Sequence, residues 1–177
     1  RLVRETPKEM SAAEIDMIVE AHAQAAARVR ASGLDGVELL GAFGYLIGAF
    51  LSPYSNARTD DHGGRLANRL RFARRVISAV RGALGRDRVL GLRLPGDERV
   101  EGGLGPPEMA EIARALTASG ELDYLNVIAG TNYDRAGRMD HWPPTPAPHG
   151  LFADLAAGIR AAVAVPVLVT GRVTTPA

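Results

Sequence analysis

Residues 51–72 read LSPYSNARTDDHGGRLANRLRF, and they join an apolar, strand-like run at 37–40 to a helix-like run at 68–84. The first part of this stretch is rich in Pro, Ser, Asn, Asp and Gly, the residues that favour turns and loops. A loop of this length inside a compact domain is usually functional. We therefore expect this loop to border a site.

Outward from this loop, helix and strand patterns alternate along the chain. The first helix is expected between a capping box, Ser11 with Glu14, and Gly33. Later helices are predicted at 68–84, 108–119 and 151–163, and strands at 34–40, 88–94, 123–129 and 166–170. Such alternation predicts an α/β fold with a parallel sheet, either doubly wound or a (β/α)8 barrel. The long loops follow strands, including a polar, Pro-rich one at 130–150, which weakly favours the barrel.

The loop resembles, over its whole length, that of the old yellow enzyme family of flavin oxidoreductases, whose pattern reads roughly SPxxNxRTDxYGGSxENRxRF. Three positions depart from it, namely His62, Arg65 and Ala67. Twelve positions match: Ser52, Pro53, Asn56, Arg58, Thr59, Asp60, Gly63, Gly64, Asn68, Arg69, Arg71 and Phe72. The resemblance implies a (β/α)8 TIM barrel. Residues 1–177 would then be part of one FMN-binding barrel domain, a fragment of about four βα units, roughly strands 4 to 7.

The segment LGAFGYL at residues 40–46 follows the first predicted strand. The similar family segment reads HxAHGYL or HxANGYL, and its polar pair binds the carbonyl group of the substrate. Here Leu40 and Phe43 occupy those two positions, whereas the tyrosine is kept as Tyr45. The resemblance implies that Tyr45 donates the proton that completes reduction of an activated C=C bond. Leu40 and Phe43 would then line the substrate pocket.

The missing polar pair makes the chain similar to the 2,4-dienoyl-CoA reductase branch of the family, which uses a histidine after the sixth strand. The stretch NVIAGTNYDR at 126–135 aligns with that place, but Asn132 stands where the histidine is expected. An asparagine amide can orient a carbonyl group, yet it cannot titrate. Tyr133, His141 and His149 lie in the same loop as possible replacements, and the sequence does not choose among them.

Arg93, at the end of the second predicted strand, is the candidate flavin-binding residue. The resemblance implies that it contacts the N1/O2 edge of the ring and stabilises negative charge on the reduced cofactor. A structural alternative is an ion pair with Glu38 on the neighbouring strand, and both roles are compatible. Gly171 and Arg172 follow the last predicted strand, where the family binds the FMN phosphate.

The composition excludes several classes of protein. The chain has 177 residues, a net charge of +1 and no cysteine. These features argue against a polyanion-binding protein and against disulfides or thiolate metal sites within the chain. The arginine-rich helix at 68–84, with five arginines up to Arg81, is interpreted as a solvated face. We expect a cytoplasmic enzyme for a small-molecule substrate, without a metal, nucleic acid or membrane partner; oligomer formation is left open.

The leading hypothesis is therefore an FMN-dependent oxidoreductase that reduces an activated C=C bond with NAD(P)H as electron donor. One alternative keeps the fold and the flavin but oxidises amines, as amine dehydrogenases and N-demethylases of this fold do. Another is a non-catalytic barrel fragment. The chain begins with Arg1 and stops at Ala177, where a new helix would start, so a longer protein is expected. In the branch, an iron–sulfur cluster and FAD are carried by further domains, which would lie outside this chain.

Overall fold

The computed structural model describes residues 8–133 and 135–174, except for the side chains of residues 135 and 136. In this part of the chain, six helices and four strands are observed. The helices are α1 Ala12–Ala31, α2 Leu46–Leu51, α3 Leu66–Leu84, α4 Pro106–Thr117, α5 Arg135–His141 and α6 Ala153–Ala162. The strands are β1 Gly36–Leu40, β2 Val89–Pro95, β3 Tyr124–Ile128 and β4 Val167–Val169.

The four strands form one parallel sheet in the order β1-β2-β3-β4. Each strand lies beside the next strand in the chain, so the order does not reverse. A doubly wound sheet reverses its strand order at a switch point, whereas a barrel adds strands in one direction. The topology is therefore that of consecutive βα units of a barrel, as the sequence predicts.

The helices cover one face of this sheet, and the main core lies between the helices and the sheet. Side chains along β1 point alternately to the two faces of the sheet, so Leu39 is 8% exposed whereas Leu40 is 39% exposed. The predicted capping box of α1 is confirmed, with Glu14 N donating to Ser11 Oγ at 3.3 Å and Ser11 N donating to Glu14 Oε2 at 2.8 Å. The largest core side chains include Phe72, Ile77, Leu84, Leu90, Leu92, Leu125 and Met109. The opposite face of the sheet carries the polar side chains of the candidate site.

Two short helices were absent from the sequence prediction. The apolar segment of α2 is only six residues long, too short to show a helical period, and it lay between a predicted strand and the loop. The segment of α5, RAGRMDH, is polar and contains a glycine, so it was included in the predicted loop at 130–150. Helix α3 begins at Leu66, two residues before the predicted start. These corrections matter because α2 and α5 both flank the site.

Arg81 on α3 overturns part of the interpretation of that helix as a solvated face. Its side chain is buried, with 5% exposure. The guanidinium group donates to the backbone oxygens of Glu121, Gly85 and Arg88 at 2.6–2.9 Å, and to the Asp123 carboxylate at 2.7 Å. It thereby joins the end of α3 to the starts of two strands. The arginines at 71 and 74 on the same helix are exposed, as predicted.

Candidate active site

A tight turn after β1 presents Tyr45. Phe43 and Gly44 both have left-handed backbones, with φ of 61° and 77°. Tyr45 then caps α2 and is 53% exposed. The Phe43 ring meets the Tyr45 ring edge-on at 6.3 Å, and the Phe43 oxygen accepts a hydrogen bond from Asn132 N at 3.1 Å. The turn after β1 is thus fixed to the loop after β3, with the Tyr45 phenol open to a ligand.

Tyr133 holds the same turn from its other side. A Cβ atom on Gly44 would lie 2.6 Å from the Tyr133 ring, so only glycine allows this packing. The Tyr133 hydroxyl donates to Ser55 Oγ at 2.9 Å, and its ring packs at 4.8 Å from that of Tyr54. Burial raises the pKa of Tyr133. Because its proton is held by Ser55, Tyr133 is better suited to position the turn than to donate a proton.

His141, at the end of α5, is the alternative that the fold brings to the turn. Its ring is 7% exposed and lies 4.3 Å from Phe43 and 4.5 Å from Trp142. Burial lowers the pKa of His141, against a smaller opposing effect of a hydrogen bond with the Thr131 backbone. The burial of the ring therefore favours the neutral form of the imidazole. His149, by contrast, contacts Thr174 at 3.3 Å, and no contact described in the structure links it to Phe43.

The open face of the sheet carries the candidate flavin-binding residue. Arg93 is paired in register with Leu40 on β1 and Asn126 on β3. Its Nε atom lies 2.8 Å from Glu38 Oε1, so the ion pair suggested by the sequence is present. Despite this short distance the buried Nε makes no hydrogen bond, and no hydrogen bond from the two terminal nitrogens to a residue of 8–133 or 135–174 is observed. These donors are free to bind an acceptor of a ligand while Glu38 holds the other side of the guanidinium.

Gly171 and Arg172 form a turn directly after β4. A Cβ atom on Gly171 would collide with the Phe152 ring, and Arg172 has a left-handed φ of 51°. The Arg172 oxygen accepts from Gly150 N at 3.0 Å. The buried Arg172 Nε has no partner within the described part of the chain. Unpaired guanidinium donors at Arg93 and Arg172 fit a ligand with acceptor atoms and a phosphate group, as FMN has.

Glu98 is a buried carboxylate that the sequence interpretation missed. It is 2% exposed and its Oε2 accepts from Ser52 Oγ at 2.6 Å and from Leu104 N at 2.7 Å. Burial raises the pKa of Glu98. Through Ser52 it joins the 51–72 loop to the loop after β2. The sequence signal is weak, because Glu98 lies in a polar turn beside other acidic residues, and burial alone distinguishes it.

Replacing Glu98 with glutamine is expected to change how stability depends on pH. The folded state holds the Glu98 proton to a higher pH than the unfolded state does. Unfolding free energy is therefore lost as the pH rises from the ordinary glutamate pKa through the raised one. Glutamine has no proton to lose, so the stability of Glu98→Gln relative to the native protein should increase as the pH rises above the ordinary glutamate pKa and through the raised pKa of Glu98.

Urea unfolding of the full-length protein at several pH values measures this difference. Glu101→Gln is the matched control, because Glu101 is exposed in the same loop. Parallel pH curves for Glu98→Gln and the native protein would contradict a raised pKa at this position.

A family model described as NADH:flavin oxidoreductase / NADH oxidase matches residues 2–177. The chain belongs to this family. A probable N-methylproline demethylase of Rhizobium meliloti is 40% identical over 163 residues, which are 92% of this chain and 24% of that protein. A multifunctional alkene reductase/demethylase of Caballeronia cordobensis is 35% identical over 173 residues, covering 97% of the chain and 25% of the relative. A solved 2-naphthoyl-CoA reductase is 31% identical with a TM-score of 0.81, over 92% of this chain and 24% of that one.

The chain spans about a quarter of the length of these relatives. The chain therefore belongs to the NADH:flavin oxidoreductase family, and its four parallel strands are part of the TIM barrel of that family. FMN is the flavin of the family. The assignment of individual residues to flavin and substrate is carried by the geometry above and remains a proposal.

Over 8–133 and 135–174, none of the helices combines the length and apolar character that a membrane crossing requires. In the same residues, no three His, Asp or Glu side chains are grouped closely enough to hold a metal ion.

Proposed function

We propose that the protein containing this chain is an FMN-dependent oxidoreductase that reduces an activated C=C bond with electrons from NAD(P)H, in the manner of 2,4-dienoyl-CoA reductases. The observation that carries this proposal is Arg93, which lies on the open face of the sheet with its Nε 2.8 Å from Glu38 Oε1 and with no hydrogen bond from its guanidinium group within the described residues. Tyr45 stands at the start of α2, in the turn that follows β1, and β1 pairs with the strand that carries Arg93. Parallel strands place these carboxyl ends at one edge, where barrel enzymes build their sites.

Each residue has a role that its geometry supports. Arg93 binds the ring of the flavin and offsets negative charge, and Gly171 with Arg172 binds its phosphate. When bound, FMN supplies hydride transfer between NAD(P)H and the substrate. Tyr45 holds the proton that the second alkene carbon takes up, so that a hydride and a proton together saturate the bond. Phe43 and Leu40 present apolar surface to the substrate, and Asn132 and His141 flank it.

A second candidate function, amine oxidation, is favoured by the rings around Phe43. His141 and Trp142 form a series with Phe43, with centroid distances of 4.3 Å and 4.5 Å. Aromatic faces attract cations, so these rings suit a methylated ammonium group as well as an alkene. One relative bears the name of an N-methylproline demethylase. Burial of His141 favours its neutral form, and an uncharged ring suits either substrate.

The experiment that tests the proposal is an absorbance spectrum of the full-length protein, followed by NADH addition without oxygen. A flavin band that bleaches with NADH, and returns when a dienoyl-CoA is added, is the expected result. Return of the band with a dienoyl-CoA but no bleaching by N-methylated amines excludes the second candidate. The absence of a flavin band, even after FMN is supplied, would leave a non-catalytic barrel.

Restoring the polar pair at Leu40 and Phe43 is expected to broaden the substrate range. The double variant Leu40→His, Phe43→Asn supplies donors for a carbonyl oxygen, and asparagine tolerates the left-handed backbone at position 43 better than phenylalanine does. We expect turnover of a simple cyclic enone to rise by about tenfold, which corresponds to the net free energy of one hydrogen bond in a closed site. Steady-state rates on the enone measure this. Leu46→His is the control, because Leu46 is exposed in the adjoining helix. No gain over that control would refute an apolar pocket as the limit on enone turnover.

A further inference from the structure

Glu38 is the centre of a polar network on the open face of the sheet. Its Oε1 lies 2.8 Å from Arg93 Nε, and its Oε2 accepts from Asn126 Nδ2 at 2.9 Å and from the Tyr124 hydroxyl at 3.1 Å. Asn126 Oδ1 in turn accepts from Thr170 Oγ1 at 3.0 Å. Side chains of β2 and β3 therefore contact one carboxylate on β1, and Thr170 after β4 joins the network through Asn126.

The register shows how this network is built. Glu38, Gly91 and Tyr124 are partners in one row across β1, β2 and β3. A Cβ atom at Gly91 would collide with the Tyr124 ring, so the glycine lets that ring lie across β2 and reach Glu38. The next row contains Arg93 and Asn126, which reach Glu38 diagonally. The carboxylate thus accepts two hydrogen bonds from β3 and forms an ion pair with β2.

This arrangement has an electrostatic consequence for Arg93. Its guanidinium keeps two terminal nitrogens without a partner in the described chain, but its charge is partly offset by a carboxylate at 2.8 Å. Both side chains are mostly shielded from solvent, with 30% and 24% of their surface exposed, so screening of the pair is incomplete. A ligand bound to the free nitrogens would experience less positive charge than an isolated arginine provides.

We propose that Glu38 is a positioning residue that fixes Arg93 and offsets its charge, and thereby lowers the reduction potential of the bound flavin. The inference rests on the proposed function, because it takes Arg93 as the residue that binds the flavin ring. Reduced flavin carries more negative charge than oxidised flavin, so a carboxylate behind the arginine disfavours the reduced form. The network through Asn126 and Thr170 extends this positioning to the Gly171–Arg172 turn.

The test is Glu38→Gln in the full-length protein, with FMN as the probe. Glutamine keeps the shape of the glutamate side chain. The hydrogen bonds can be kept as well, because the Asn126 amide can flip and the Tyr124 and Thr170 hydroxyls can rotate, each donating or accepting as needed. Affinity for oxidised FMN comes from titration of the apoprotein, and the midpoint potential comes from equilibration with a reference dye. We expect the ratio of affinities for reduced over oxidised FMN to rise about tenfold, a potential increase of about 30 mV for a two-electron couple.

Two further variants keep the outcome decisive. Asp16→Asn removes the same charge from an exposed pair with Arg75, and it should leave the potential unchanged. Tyr124→Phe removes a hydrogen-bond donor from Glu38, so more of the carboxylate charge acts on Arg93. The ratio of affinities for reduced over oxidised FMN should then fall about threefold, and the potential should fall with it. The Tyr124 variant also tests the inference if Glu38→Gln does not fold.

The outcomes separate the inference from the function on which it rests. A native protein that binds no FMN overturns the proposed function. A protein that binds FMN, with a potential that is unchanged or lower in Glu38→Gln, overturns the role of Glu38 alone. Equal loss of affinity for both redox forms would likewise show a purely structural carboxylate.

Discussion

Tyr45→Phe is expected to slow reduction of an activated alkene by about 10²–10⁴-fold, the usual contribution of a positioned general acid. The hydroxyl is the only group removed, and Tyr45 contributes its ring edge to Phe43 rather than a buried contact, with 53% of its surface exposed. The variant should therefore fold normally and bind FMN normally. Because NADH oxidation needs no proton from Tyr45, the reductive half-reaction should keep its rate.

Rapid mixing separates the two half-reactions in the full-length protein. Bleaching of the flavin by NADH reports the first, and its return with a dienoyl-CoA reports the second. Tyr54→Phe is the matched control, because Tyr54 is 50% exposed on the neighbouring loop and its ring packs on Tyr133. If Tyr45→Phe reduces the alkene at a rate within about threefold of the native rate, the loss is far smaller than a general acid contributes. The proton would then come from another donor.

Arg81→Met is expected to reduce the unfolding free energy by about 3 kcal/mol, the low end for removing one partner of a buried charged group. The native guanidinium satisfies the backbone oxygens of Glu121, Gly85 and Arg88, and methionine offers no donor to any of them. The Asp123 carboxylate is half exposed, so water replaces part of its lost bond. This partial hydration is why we expect the low end of the range.

Thermal and urea unfolding of the full-length protein measure this loss. Arg74→Met is the control on the same helix, since Arg74 is exposed and makes one long bond of 3.3 Å to a backbone oxygen. We expect the control to change the unfolding free energy by less than about 0.5 kcal/mol. Equal effects of the two substitutions would mean that the buried guanidinium contributes nothing beyond a surface arginine.

The order of the elements was predictable because it is a local property. Apolar strands, helical periods, the Ser11–Glu14 capping box and the glycine that follows α1 are all encoded within a few residues of one another. The same holds for the 51–72 loop, whose dozen matching positions indicated the family before any contact was known. Short helices such as α2 and α5 were missed since six or seven residues cannot show a period.

The candidate site was only partly predictable. Tyr45, Arg93 and the turn at Gly171 could be named because the resemblance to the family assigns roles to residues at or after the ends of these strands. The sequence could not choose among Tyr133, His141 and His149, and the fold places His141 against Phe43 and commits Tyr133 to Ser55. That choice depends on α5, which brings one end of a long loop back to the site.

The sequence by itself determined the order of the helices and strands and the family, because both depend on residue type and spacing along the chain. The sequence also suggested the ion pair between Arg93 and Glu38, but only the tertiary structure showed which other charged groups are buried. Arg81 and Glu98 look like their solvated neighbours in the sequence, but the fold buries them at 5% and 2% exposure. Glu38 likewise meets Tyr124 across 86 residues of chain, a contact that exists only once Gly91 leaves the row between them open.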